Sequence, residues 1–109
     1  MPWYIYVAMF FAGAFAANAI PHIVQGICGN RFQTPFASPP GVGESSALVN
    51  VIWGFVNIAI SGSLLHYFLP REFPPPLPLC IAGGLGALIS ALFLSWHFGK
   101  ARKGPPWPE

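Results

Sequence analysis

Polar side chains recur at helical spacing in two otherwise apolar stretches of the chain. The first stretch carries Asn18, His22 and Gln25, and the second carries Asn50, Asn57 and Ser61, with Gly54 between them. Intervals of three and four residues place these groups on one face of a helix. Amides in an apolar environment cost free energy unless they are paired. The pattern therefore predicts a polar cluster of Asn18, His22, Asn50, Asn57 and Ser61, in which Asn18, His22 and Asn50 meet. The cluster forms either hydrogen bonds between helices or a small pocket for a ligand.

The histidines permit a second kind of chemistry. Two imidazoles at similar depth on facing helices can ligate a haem, and a single imidazole can hold the magnesium of a chlorin. His22 and His97 are the pair that meets the depth condition, because His66 falls toward the other end of its stretch. They are thus candidate cofactor ligands. The alternative is that the protein has no cofactor and that these are ordinary interfacial histidines, as the neighbour Trp96 suggests.

Other catalytic signatures are absent from the sequence. It contains no phosphate-binding loop, nucleophile elbow or zinc motif, and Cys28 and Cys80 form no CxxC pair. We therefore expect neither a metal site nor catalytic residues, and predict that the protein is not an enzyme.

The elements that carry these residues follow from composition. Of the 109 residues, 54% are hydrophobic and only 7% are charged, too few to cover a water-soluble surface. The net charge of +2 also argues against a nucleic-acid partner. Uncharged runs of 18 to 23 residues occupy 3–20, 47–69 and 79–99, which is long enough to cross a bilayer. The sequence predicts an all-α membrane protein.

In this interpretation, residues 1–109 form a single integral membrane domain with three transmembrane helices. We expect the helices at about 3–25, 46–69 and 79–100, followed by a proline-rich tail at 104–109. A long, ordered Gly/Pro-rich loop without secondary structure, 26–46, joins the first two helices. It either serves a function or merely carries the chain across the membrane face, and the sequence leaves both possibilities open.

The basic residues indicate an orientation. Three spans place the first loop and the C-terminus on one side, which then holds four Lys and Arg residues against one on the other. Because basic residues favour the cytoplasmic side, the N-terminus is predicted outside and the C-terminus inside.

Small residues at four-residue spacing mark two helix faces. They are Ala8, Ala12 and Ala16 in the first helix and Gly83, Ala87 and Ala91 in the third. Such stripes let two helix backbones approach closely. They are expected to pack either within the three helices or against another membrane protein.

Three segments, 18–22 (NAIPH), 35–41 (PFASPPG) and 50–57 (NVIWGFVN), carry a resemblance. Over roughly residues 18–62 the chain resembles a family of small bacterial multi-pass inner-membrane proteins described as uncharacterised. The resemblance implies a bacterial inner-membrane location and brings no activity.

Three functions remain open at this point. The leading hypothesis is a small accessory subunit that packs in the bilayer against other integral membrane subunits, or against copies of itself, and stabilises or assembles a larger complex. The second is a haem-, chlorin- or quinone-associated anchor of a redox or photosynthetic complex. The third is an oligomeric pore or carrier for a neutral solute.

Overall fold

The computed structural model describes residues 1–102, which form three long helices and a small strand pair. The elements in chain order are α1 (Trp3–Ile27), β1 (Phe32–Gln33), β2 (Glu44–Ser45), α2 (Ala47–Phe68) and α3 (Leu77–Ala101). Each helix is long and apolar enough to cross a membrane. This confirms the predicted all-α class with three candidate spans. The predicted proline-rich tail, 104–109, lies outside the described residues.

The helix boundaries differ from the predicted ones by one or two residues. α1 passes through Pro21, as the predicted range of 3–25 requires, because a proline removes one helical hydrogen bond without stopping a helix that neighbours support, and it ends two residues later than predicted, at Ile27. α2 begins after Ser46, whose Oγ accepts a hydrogen bond from the backbone amide of Val49. α3 begins earlier than predicted, at Leu77, and has a proline in its first turn, where an amide hydrogen is not needed.

α1 is the central helix of the molecule. It packs against both α2 and α3, whereas α2 and α3 make few close backbone contacts with each other. The face of α2 that carries its polar residues is the face it buries: Asn50, Gly54, Asn57 and Ser61. The amides are thus directed at α1 and away from the outer surface, as their cost in lipid requires.

Close backbone approach joins α1 to α3. A Cβ atom placed on Gly13 would collide with the carbonyl of Gly83, and one on Gly86 would collide with the carbonyl of Phe10. Of the predicted small-residue stripes, Ala8 and Ala12 are buried, and Gly83 and Ala87 lie at this contact. Ala16 and Ala91, by contrast, are exposed, so these two alanines do not pack within the chain. When two helices cross at an angle, a line of small residues along one helix contacts the other helix only near the crossing point and diverges from it beyond that point.

The connection between α1 and α2 is not devoid of secondary structure. β1 and β2 pair in antiparallel register, with Phe32 opposite Ser45 and Gln33 opposite Glu44. Strands of two residues are too short for alternation to show in a sequence. The connection lies beside the C-terminal end of α3, since Arg102 donates a hydrogen bond to Gln33.

Candidate functional site

A cavity of about 160 Å³ that opens to the surface lies where the three helices meet the α1–α2 connection. Its lining includes Asn18, His22, Gln33, Trp53, His97 and Phe98. Each of the three helices thus contributes, and β1 contributes Gln33. The cavity also combines polar groups with aromatic rings, which is the usual composition of a small-molecule site.

Asn50 fixes the protonation of one histidine in this cavity. Its Nδ2 lies 3.1 Å from the carbonyl oxygen of Phe32, 3.2 Å from that of Ser45 and 3.0 Å from that of Ser46. The amide orientation is therefore determined, and Oδ1 faces Nδ1 of His22 at 2.8 Å. Because a carbonyl oxygen only accepts, His22 Nδ1 carries the proton and donates. The other ring nitrogen, Nε2, then holds a lone pair.

The remaining polar residues of α2 also bond across to α1 or within their own helix. Asn18 Nδ2 donates to Asn57 Oδ1 at 2.9 Å, and Asn57 Nδ2 donates to the carbonyl of Trp53 at 2.8 Å. Ser61 Oγ donates to the carbonyl of Ala12 at 2.7 Å. Asn18, His22 and Asn50 therefore do not form one group: His22 pairs with Asn50, whereas Asn18 pairs with Asn57.

This pairing bears on the hypothesis of a pore or carrier. The amides of Asn50 and Asn57 are engaged in holding the helices together, and both residues are 0% exposed. A solute pathway would need such groups to be accessible, so the geometry does not favour that hypothesis.

An aromatic wall surrounds His22. Its ring meets those of Phe32, Trp53 and Phe98 edge to face, with centroids 5.5, 6.5 and 6.2 Å away. Trp53 carries a further feature, because its indole Nε1 is buried and has no hydrogen-bond partner among residues 1–102. A buried N–H without a partner costs about 1–3 kcal/mol of stability.

His97 lines the same cavity but is held differently. Its Nε2 lies 2.7 Å from the carbonyl oxygen of Gly41, so this nitrogen carries the proton and donates. Its lone pair is then on Nδ1, and the bond from Nε2 ties His97 to the backbone of the α1–α2 connection.

The size of the cavity also bears on the cofactor hypothesis. Its volume of about 160 Å³ is well below the roughly 300 Å³ at which pockets for drug-sized ligands begin. His22 is also only 2% exposed, so its ring is not presented to the surface as an axial ligand, and the geometry does not favour a haem or chlorin here. Within the described part of the chain, no three His, Cys, Asp or Glu side chains lie close enough to hold a metal ion.

Arg102 ties the connection to α3 beside the cavity. Its Nη1 donates to Gln33 Oε1 at 2.9 Å and lies 3.3 Å from Glu44 Oε2, and its guanidinium lies over the ring of Phe32.

The sequence did not identify Gln33, Trp53 or Phe98 as site residues. Their roles depend on packing between distant segments, which no local spacing reveals.

Comparisons with protein-family models, curated proteins and solved structures find no match to this chain.

Proposed function

We propose that the protein is a small, non-catalytic accessory subunit that packs against a larger membrane protein complex and stabilises or assembles it. The observation that supports this proposal is a groove of about 300 Å³ on the outer surface, between α1 and α3. Its lining residues are Ala17, Ile20, Pro21, Ala91, Leu94, Ser95 and Phe98. The groove begins where the close contact at Gly13 and Gly86 ends.

The floor of the groove suits a neighbouring helix. Ala91 and Ser95 are four residues apart and both exposed, which is the small-residue spacing that lets a second helix approach. Pro21 has no amide hydrogen, so the carbonyl of Ala17 lacks its usual helical donor. The hydroxyl of Ser95 and this carbonyl cannot hydrogen-bond to lipid chains. A transmembrane helix with a donor side chain satisfies them, which favours a protein partner over lipid.

The proposed location is the bacterial inner membrane, with the N-terminus outside and the C-terminus in the cytoplasm. The support is the distribution of four basic residues against one and the resemblance over residues 18–62. In this proposal the α1–α2 connection stays ordered as a cap on the cytoplasmic end, held by Arg102 and by the bond from His97 to Gly41.

Purification from native membranes in a mild detergent, followed by mass spectrometry, tests the proposal. We expect a stoichiometric integral membrane partner, or a homo-oligomer, with the wild-type protein. Ala91→Leu fills the groove and is expected to abolish this association. Leu92→Phe is the matched control, because Leu92 is exposed one position away on α3 and does not line the groove. A monomer recovered alone after cross-linking in intact membranes would contradict the proposal.

A further inference from the structure

A groove of about 350 Å³ lies on the surface at the C-terminal end of α3. Its lining residues are Val42, Trp96, His97, Lys100 and Ala101, so the end of α3 forms one wall and the α1–α2 connection forms the other. α3 is long and apolar enough to cross a membrane. In a bilayer, the last turn of such a helix lies where the hydrocarbon meets the lipid headgroups.

The wall formed by the connection is held in place by the tertiary structure. His97 Nε2 donates to the carbonyl of Gly41 at 2.7 Å, and Gly41 directly precedes Val42. The amide of Val42 donates to the carbonyl of Pro39 at 3.0 Å. The groove therefore belongs to the folded molecule and is not a property of α3 alone.

The wall formed by α3 changes from apolar to cationic toward the end of the helix. Phe93, Trp96 and Lys100 are three and four residues apart, so they lie on one face, and all three are exposed. The ring centroids of Phe93 and Trp96 are 6.1 Å apart, and Lys100 Nζ lies 4.7 Å from the centroid of Trp96. The order along this face is thus phenyl ring, indole, ammonium. A phospholipid presents its acyl chain, glycerol and phosphate in the same order.

The charge of Lys100 has no carboxylate partner in the described part of the chain. The acidic residues of 1–102 are Glu44 and Glu72. Glu44 forms the only ion pair within these residues, with Arg102, and Glu72 lies in the α2–α3 connection at the other end of the molecule. A lysine ammonium binds phosphate as a point charge, and basic side chains next to a bilayer attract anionic lipids. The groove is therefore complementary in charge to an anionic headgroup.

From these observations we infer that the groove binds an anionic phospholipid of the surrounding bilayer. Lys100 Nζ donates to the phosphate, Trp96 lies at the level of the glycerol, and one acyl chain packs against Phe93. Phosphatidylcholine carries a second, positive group in its headgroup and binds more weakly, because Lys100 repels that group. The inference does not depend on the accessory role proposed above, since the described chain alone forms the groove.

Nuclear magnetic resonance of the ¹⁵N-labelled full chain in zwitterionic dodecylphosphocholine micelles tests the inference, with dihexanoyl-phosphatidylglycerol as the probe. The chain has four tryptophans, and Trp96→Phe assigns the indole signal of Trp96. We expect that signal to shift saturably as the anionic lipid is added. Dihexanoyl-phosphatidylcholine has the same acyl chains and is expected to give no saturable shift. The signal of Trp3, which is 74% exposed at the opposite end of the molecule, reports general changes in the micelle.

Variants of matched charge locate the binding. Lys100→Gln is expected to weaken the binding of the anionic lipid about five-fold, which is the usual effect of one basic side chain near a membrane surface. Arg71→Gln is the control, because it changes the net charge equally at an exposed position in the α2–α3 connection, and it is expected to leave the affinity unchanged. Lys100→Arg keeps the charge and is expected to keep the affinity within about two-fold.

Three results would overturn the inference. The first is an equal shift of Trp96 with dihexanoyl-phosphatidylcholine, which removes recognition of the anionic headgroup. The second is an equal saturable shift with inorganic phosphate, which means that the groove binds a free anion and not a lipid. The third is an equal affinity of Lys100→Gln and Arg71→Gln. The comparison of the two lipids on the wild-type chain decides the question even if a charge variant does not fold.

Discussion

Asn50 shows how one side chain organises this end of the molecule. Its two amide hydrogens are donated to the carbonyls of Phe32, Ser45 and Ser46, so at least one hydrogen is shared between two acceptors. Its side-chain oxygen accepts a hydrogen bond from His22. One residue of α2 thus holds α1, β1 and the start of its own helix. It also sets which nitrogen of His22 carries the proton.

Asn50→Leu is expected to destabilise the protein strongly. The change leaves the Nδ1–H of His22 and buried carbonyls without partners, which costs about 3 kcal/mol or more in free energy of unfolding. Asn30→Leu is the control, because Asn30 is exposed and bonds only to Gln25. The free energies of unfolding of both variants are compared with that of the wild type in a graded series of denaturing detergent. An equal loss of stability in the two variants would be incompatible with the role of Asn50.

The bond from Asn18 to Asn57 is expected to contribute much less. Amide pairs between membrane helices are worth roughly 0.6 kcal/mol on average and about 1.7 at most, because the unfolded chain in a membrane also finds partners. A double-mutant cycle with Asn18→Ala and Asn57→Ala measures the coupling free energy directly. A coupling near zero would mean that Asn57 acts only through its bond to the Trp53 carbonyl.

At the scale of elements, α1 packs against α2 and against α3 through different kinds of interaction. Its contact with α2 is polar and uses Asn18, His22 and the carbonyl of Ala12. Its contact with α3 is a close backbone approach at Gly13 and Gly86. The only side-chain hydrogen bond between α1 and α3 in the described chain runs from Ser90 to the carbonyl of Ala14 at 3.3 Å. The α1–α3 contact therefore depends on small residues.

Gly86→Ala is expected to separate α3 from α1. The added Cβ would collide with the carbonyl of Phe10, which is backbone and cannot rotate away, at a cost of about 1–3 kcal/mol. Gly84→Ala is the matched control, because Gly84 is exposed and a Cβ there meets nothing within 4 Å. Alanine is also the better helix former, so the control is expected to be neutral or slightly more stable.

A cysteine introduced in each of α1 and α3 near this contact gives the readout. Disulfide cross-linking between the two helices is expected to fall in Gly86→Ala and to persist in Gly84→Ala. Unchanged cross-linking and stability in Gly86→Ala would contradict the close approach.

At the scale of the whole molecule, the two ends differ in composition. One end has an apolar cluster in which Ala8, Met9 and Leu79 are buried. The other end carries Arg102, the ion pair with Glu44, the cavity and the connection between α1 and α2. This ion pair is exposed and contributes little stability. Its end of the molecule also carries most of the basic residues, which is the basis of the proposed orientation.

The two native cysteines test that orientation. Cys28 follows α1 at the end proposed to be cytoplasmic, and Cys80 lies in the first turn of α3 at the other end; both are free and exposed. A membrane-impermeant maleimide added to intact spheroplasts is expected to label Cys80 in the Cys28→Ser variant. It is expected to label Cys28 in the Cys80→Ser variant only after permeabilisation. The reverse pattern would place the N-terminus in the cytoplasm.

Much of the helical architecture could be predicted from the sequence. Apolar runs long enough to cross a bilayer determine the three helices, because a backbone in lipid must satisfy its own hydrogen bonds. The spacing of Asn50, Gly54, Asn57 and Ser61 determined the buried face of α2 for the same reason. Helix ends were less accurate, by one or two residues, since local signals cannot weigh the support that neighbouring helices give to a terminal turn.

Only the tertiary structure decided how these groups combine. Which amide meets which depends on the rotation of α1 against α2, and that geometry pairs His22 with Asn50 and Asn18 with Asn57. The cavity exists because Gln33, Trp53 and Phe98, far apart in the chain, pack around His22. The sequence by itself determined the three long apolar helices, through local composition and the helical spacing of their polar residues. Contacts across long separations in the chain leave no such local pattern, so the site had to be found in the folded molecule.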